Sequence, residues 1–150
     1  MKNLFEVTTV EEVKGRMALL SADSARQWGK MNAGQAMEHC ARGLELALGD
    51  RRPPRLLIGR ILGPVIKSRA FVESEPMRRN SPTVPGVAVV EETDFEEGRE
   101  RLCGLVDRFV ASGPSGCTDH PHSFFGRLTP DEWSAWMYKH LDHHLRQFGV

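Results

Sequence analysis

The chain has 150 residues, 40% hydrophobic and 27% charged, enough for a single domain over 1–150 with its own core and no disulfide staples. Its 20 Lys+Arg offset 20 Asp+Glu, so no global field draws it to nucleic acid or to an anionic membrane, and neither is expected as a partner. Cys40, Cys103 and Cys117 are odd in number and lack C-x-x-C spacing, which together with the absence of an apolar leader-like run at the start points to a reduced, cytoplasmic protein.

In chain order, Thr9-Val-Glu-Glu12 has capping-box spacing and opens a short helix with apolar positions through Met17, Leu19 and Leu20. A polar segment containing Trp28 follows and ends at Asn32, which with Gln35 is again cap-like. Ala33 to Leu48 then reads as a helix ending at Gly49, its stripe formed by Ala33, Ala36, Met37, Cys40, Leu44 and Ala47. His39 falls at the edge of that stripe, and Gly43 one turn on leaves room beside it. After Pro53-Pro54, Arg55 to Ala70 is a third helical segment with Pro64 as a kink. The window Leu56 to Ile66 is its most apolar part, but it is too short for a membrane span and contains Arg60 and Pro64.

Phe71 to Val90 is a long proline-rich connection of the kind that is functional or packed across a surface, with Val87 to Val90 as a brief extended stretch. Thr93 or Asp94 caps the next helix, which runs to about Ser112 with Phe95, Leu102, Leu105, Val106 and Phe109 facing inward; Gly113-Pro-Ser-Gly116 ends it. The last helix has the clearest start, with Thr129 as N-cap, Pro130 at the first position and Glu132 three residues after the cap, and it runs to about Phe148. With no repeat and almost no strand alternation, the fold class is all-α: four principal helices and a long crossover, a bundle class that hosts metal sites between facing helices.

Half of the six histidines lie within five positions of the last helix, in His140-Leu-Asp-His143-His144-Leu-Arg-Gln147. At about 100° per residue, Trp133, Met137, His140, Leu141, His144 and Phe148 share one face. His140 and His144 therefore stand one turn apart inside an apolar stripe, where an unsatisfied polar group is costly and where a helix presents two nitrogens to one metal ion. Two ligands make a weak site. His39, the one histidine on another predicted helix, could supply the third, leaving positions for water or substrate as catalytic sites do.

His39 in a Met-x-His-Cys setting, followed far downstream by H-x-x-H-H-x-x-Q, resembles the DinB-like superfamily of four-helix-bundle metalloproteins. Trp28-Gly-Lys-Met-Asn32, Asn80-Ser-Pro-Thr83, His120-Pro-His122-Ser-Phe-Phe-Gly126 and Leu128-Thr-Pro-Asp-Glu-Trp133 resemble an uncharacterised bacterial subfamily of it, a domain of unknown function. The likeness runs from about Trp28 to the C-terminus. It implies a DinB-like four-helix bundle with His39, His140 and His144 as ligands of a divalent transition ion: zinc, nickel, iron or manganese. It also implies a homodimer, and a small-molecule substrate with transfer to or from a low-molecular-weight thiol, or hydrolysis, as the chemistry.

The other polar residues divide less sharply. His120 and His122 lie on an extended loop that alternation turns to opposite sides, so one of them could reach the site as a catalytic base or positioning group, or both could only help dock the loop through Phe124 and Phe125. Gln147 lies one turn beyond His144 on nearly the same face, where its amide could line a substrate. Trp136 and His143, the latter on the flank nearer Trp136, are the other lining residues. Glu38 and Asp142 adjoin ligands in sequence and so point about 100° away, as helix-surface groups do. Arg51-Arg52 and Arg78-Arg79 read as solvated loop charge, and Ser115 is no nucleophile elbow, since no strand precedes it. A metal-dependent transferase or hydrolase is thus the leading function, and a non-catalytic metal-binding or dimerisation protein is the alternative.

Overall fold

The computed structural model describes residues 2–72 and 76–150. Among them the architecture is all-α. Five helices run in the order α1 (Val7–Ala18), α2 (Ala33–Leu48), α3 (Leu57–Ala70), α4 (Phe95–Ser112) and α5 (Pro130–Gln147), with a one-turn 3₁₀ segment at Pro114–Gly116. The only ladder pairing among the described residues is one antiparallel bridge, His122 with Gly126.

Local chemistry sets most of the boundaries. Asn32 and Gln35 form a reciprocal capping box, side chain to backbone at 2.8 and 3.0 Å, and Thr129 with Glu132 forms a second one behind Pro130. Asp94, rather than Thr93, caps α4 by accepting from the Glu97 N–H at 2.9 Å. α2 ends where Gly49 turns to φ 83°, the left-handed conformation that glycine adopts without strain. The start of α1 differs from the capping-box expectation. The helix begins at Val7, and Thr9 lies inside its first turn with its hydroxyl donated back to Glu6 at 3.0 Å. What places this end is tertiary: Leu4 is fully buried and the Phe5 ring stacks on Phe109 of α4 at 5.2 Å.

α2 packs on α4 and α5, and α1 packs on the same two helices, so the core lies among these four. Its largest fully buried side chains include Trp133, Phe109, Met17, Met37, Leu44, Leu102 and Leu141. Gly34 and Gly98 let α2 and α4 approach; a Cβ on Gly34 would stand 2.4 Å from the Thr93 carbonyl oxygen. Ion pairs tie the same helices at their rims: Lys14 of α1 with Asp107 of α4 at 2.6 Å, Arg16 of α1 with Asp142 of α5 at 2.8 Å, and Arg101 of α4 with Glu38 of α2 at 2.6 Å.

α3 is different. It lies against the 123–125 loop rather than along another helix, and Gly59 and Gly63 are its only buried residues. Pro64 is accommodated within it. The connection after α3 includes residues 73–75, which fall outside the described residues; from 76 onward it runs across α2 and α5. Val87 and Val89 are buried while Ala88 and Val90 are exposed, the alternation of an extended segment, but no strand among the described residues pairs with it. None of the helices is long and apolar enough to cross a membrane.

Candidate metal centre

His39 projects from the middle of α2, and His140 and His144 project from one face of α5. All three are between 4% and 9% exposed, and one ring nitrogen of each lies within 4.8 Å of the others. The three rings form a near-equilateral triangle, with centroids 4.8, 4.8 and 4.9 Å apart and planes tilted by 69°, 74° and 88°. The steep tilts exclude parallel stacking of the three rings. Gly43 makes this possible. A Cβ at that position would come within 3.0 Å of His140 Nδ1 and 3.1 Å of Cε1, so the missing side chain on α2 is the space that the α5 imidazole fills.

Hydrogen bonding fixes which nitrogen is free on two of the rings. His39 Nδ1 lies 2.8 Å from the carbonyl oxygen of Val87. A carbonyl only accepts, so Nδ1 carries the proton and the Nε2 lone pair is left for the cluster. His144 Nδ1 lies 2.8 Å from Gln147 Oε1, while the Gln147 amide nitrogen donates to the carbonyl of Trp28 at 2.8 Å. The second bond settles the orientation of the amide, and through it the tautomer of His144: again Nδ1 carries the proton and Nε2 is free. Partners of this kind on the far nitrogen are what orient ligating histidines in metal sites.

His39 Nε2 and His140 Nε2 are 2.9 Å apart. Two ligands of one ion stand about 2.9–3.4 Å apart when bonds of roughly 2.0–2.1 Å meet at about 90–109°, so the separation fits a shared ion. The contact can be satisfied in two ways: a proton on His140 Nε2 donated to His39, or a cation that takes both lone pairs. Burial is the largest influence on all three rings and holds their pKa values below the usual histidine range. His140 is pushed well down by burial and then by its histidine neighbours, and His144 falls to about 3 for the same reasons. They are neutral at physiological pH, the form that binds a metal.

The rest of the neighbourhood is built by the segment after α3. His143, half-buried, bonds the backbone of Met77, and its ring packs 5.6 Å from Trp28 rather than on Trp136. The Arg79 guanidinium lies 4.0 Å above Trp28. Arg42, paired with Glu38 at 2.8 Å, donates to the Ala88 carbonyl and to Glu91, which fastens the segment beside His39. Gln147 is buried with both ends of its amide engaged. Trp136 packs against Phe125 at 4.7 Å and Phe71 at 6.1 Å.

His120 and His122 do not join the cluster. Both border a small cleft of about 10 Å³, barely room for one water, whose walls also include Leu46, Arg51 and Trp133. His120 Nε2 donates to the Pro53 carbonyl at 3.1 Å, while His122 Nδ1 accepts from the Phe124 and Phe125 amides at 3.1 and 3.2 Å. Burial, with Arg55 nearby, lowers His122 to about 4. Asp142 binds Arg16 and Arg146, and Arg51 binds Glu45. Cys40 is completely buried, and its thiol pKa is pushed up by that burial. Two features of the centre carry no side-chain signal in the sequence, the Val87 and Trp28 carbonyls, while the room that Gly43 leaves is filled by His140. The glycine opposite a histidine one turn from His39 is the nearest thing to a clue.

The model of a family described as "Protein of unknown function (DUF1569)" matches residues 2–149. No curated protein and no solved structure matches the chain.

Proposed function

The chain belongs to the DUF1569 family, and we propose that it is a divalent-metal-dependent enzyme of transferase or hydrolase type. The observation that carries the proposal is the convergence of three buried, neutral imidazoles, two of them with Nδ1 tied to an acceptor so that the Nε2 lone pair is left free. His39, His140 and His144 would hold the ion, with zinc, nickel, iron and manganese all suited to imidazole nitrogen. When bound, such an ion supplies Lewis-acid chemistry, polarising a carbonyl or acidifying a thiol or water. The chain's own part is to keep the three rings neutral, hold their tautomers and exclude bulk water. Trp28, Arg79 and His143 form the wall that a small polar substrate or low-molecular-weight thiol would meet first.

The same reading takes the fold to be a single DinB-like four-helix bundle of α1, α2, α4 and α5, with α3 and the following segment as its crossover. Its support is the packing of α1 and α2 on α4 and α5, together with the histidine motif. A reducing cytoplasm suits its three free cysteines.

One observation favours the non-catalytic alternative: the three ligands are nearly closed off from solvent. Elemental analysis of untagged protein beside a His140→Ala/His144→Ala variant tests the central claim. About one transition-metal ion per chain, absent from the variant, is the expected result. Protein that takes up none of the four ions when they are offered sinks the metal reading. A loaded protein whose solvent-exchangeable coordination positions are all filled by side chains leaves the binding role and removes the catalytic one.

A further inference from the structure

α3 presents its apolar side outward. Leu57, Ile61 and Val65 are 77%, 75% and 63% exposed, and Ile58 and Leu62 beside them are exposed as well. At about 100° per residue these five lie roughly opposite Gly59 and Gly63. The glycine side is committed to the protein itself. A Cβ on Gly63 would stand 2.3 Å from the Phe124 carbonyl oxygen, and one on Gly59 would stand 2.7 Å from the same atom. The helix is thus held by its narrow face with its aliphatic face in solvent, the reverse of an ordinary surface helix.

Charge on this stretch is one-sided. From Arg51 to Val72 the sequence has the cations Arg51, Arg52, Arg55, Arg60, Lys67 and Arg69 and no Asp or Glu. The neutral total of the whole chain, which argues against an anionic membrane, averages over this local excess. Four of the six are engaged within the protein: Arg51 with Glu45, Arg52 with the Gly49 carbonyl, Arg55 with the Gly59 carbonyl, and Lys67 with Glu132. Arg60 and Arg69 are exposed and have no ion pair among the described residues. By helical phase Arg60 borders the aliphatic arc on one side, and Arg69 enters it from the other near the end of the helix.

We infer that α3 docks the protein on an anionic lipid surface. The helix lies in the headgroup plane, with Leu57, Ile61 and Val65 toward the acyl chains and Arg60 and Arg69 on lipid phosphates. An interfacial helix has this pattern: an apolar face sunk roughly 5–10 Å below the headgroups, and cations at its margins that reach back to them. A guanidinium also matches phosphate with two parallel hydrogen bonds. α3 lies on such a surface and does not cross it, since no described helix is long and apolar enough to span a bilayer.

The same observations weigh against a protein on this face. Its exposed aliphatic surface is on the order of 600 Å², short of the roughly 800 Å² that each partner buries in a standard stable interface. A protein partner would also have to match or desolvate two unpaired guanidinium groups beside the aliphatic row. A fluid headgroup layer supplies phosphate wherever the arginines reach and needs no fitted contour. Docking would bear on the histidine centre as well. The Ala70 and Val72 carbonyls, at and just beyond the end of α3, hold the ammonium of Lys139 at 2.7 and 2.8 Å, and Lys139 precedes His140. The inference does not depend on whether the centre binds a metal.

Flotation of the full chain with phosphatidylcholine vesicles, with and without about 30% phosphatidylglycerol, tests it. The variants are Ile61→Asp/Val65→Asp, which removes the apolar contact, and Arg60→Gln/Arg69→Gln, which removes the charge. All four side chains are exposed, so both variants keep their fold, which far-UV circular dichroism checks. Leu19→Asp changes an exposed aliphatic residue outside the patch and serves as the control. The wild type and the control should float with the anionic vesicles and not with the neutral ones. The arginine variant should bind at least ~10-fold more weakly, and the aspartate variant should stay in solution. A wild type that ignores anionic vesicles, or that floats equally with neutral ones, overturns the inference. So does full binding by either double variant. A wild type that ignores vesicles but sediments as a dimer, and as a monomer once Ile61 and Val65 are replaced, would assign the face to a second copy instead.

Discussion

Two helical surfaces in this molecule break the usual partition of residues in opposite directions. The seam between α2 and α5 puts three histidines into the core, whereas α3 holds a row of aliphatic side chains in solvent. Both helices that build the seam are closed by capping boxes, and their ends and faces agree with their sequence periodicity. α3 has no side-chain N-cap and sits on glycines. In the first region each of the three histidine rings has at least one nitrogen with a partner that explains its burial: a carbonyl, an amide oxygen or a neighbouring ring nitrogen. In the second, no contact among the described residues covers the exposed side chains. A buried polar group that is satisfied points to a centre inside the molecule, and an exposed apolar face that is unsatisfied points to something outside it.

The largest expected effect tests that contrast directly by making the same truncation in both places. Leu141→Ala removes a fully buried side chain from the α5 stripe and should reduce unfolding free energy by about 2–5 kcal/mol. Ile61→Ala, measured by urea titration at a concentration low enough to dissociate a dimer, should change it by no more than about 0.5 kcal/mol. Comparable losses at the two sites would mean that α3 is not the free surface described above.

Glycine substitutions sharpen the comparison at the next level. Gly43→Ala forces a methyl against His140 in the packed core and should cost about 1–3 kcal/mol of global stability. Gly63→Ala meets the Phe124 backbone more closely still, yet the strain can be released by lifting α3 from its loop. Its signature should be faster amide exchange confined to residues 57–70, with little change in the global transition. A global collapse from Gly63→Ala and none from Gly43→Ala would reverse the assignment of the two regions.

How much of this could be read from the chain follows the same division. The histidine face of α5 and its Thr129–Glu132 start are local patterns, set within one turn of helix, and they appear where the sequence puts them. The same is true of Asn32 and Gln35 on α2. The start of α1 was misplaced at Thr9 because burial of Leu4 and stacking of Phe5 decide it, and neither is a local signal. Helical phase places His143 near Trp136, but its ring meets Trp28 from a distant segment. The partner of His39 is a backbone carbonyl, which has no sequence identity at all. Composition marks Leu56 to Ile66 as the most apolar part of α3. It could not show that these side chains face outward, because the deciding contact is Gly59 and Gly63 against the 123–125 loop.

His122 separates burial alone from burial within the cluster. Its folded pKa of about 4 lies below the ordinary 6.5, so the neutral ring is favoured by folding. The stability it contributes is complete above about pH 6.5 and is lost as the pH falls toward 4, because the unfolded chain takes up the proton first. At pH 5 this residue should account for about 2 kcal/mol of the loss relative to pH 7.5. His122→Asn keeps an acceptor for the Phe124 and Phe125 amides and removes the titration. Urea unfolding of the variant at the two pH values should show a loss smaller by that amount. An unchanged pH dependence would place the acid sensitivity elsewhere.

The smallest effect reaches the centre through a residue that would not touch the ion. Gln147 holds His144 Nδ1 with its amide oxygen and is itself fixed by the Trp28 carbonyl. Gln147→Met keeps the length and burial of the side chain but removes both bonds. The His144 ring is then free to turn, and its Nε2 lone pair is no longer held toward His39 and His140. Affinity for a bound transition metal should fall on the order of tenfold, about 1.4 kcal/mol, as measured by competition with a calibrated chelator. Gln147→Glu separates orientation from packing, since a carboxylate still accepts from Nδ1 but can no longer donate to Trp28. If the amide matters as an acceptor, this variant should retain affinity that the methionine variant loses. Equal losses in both would mean that the Trp28 anchor, and with it the Arg79 and His143 wall, sets the position of His144.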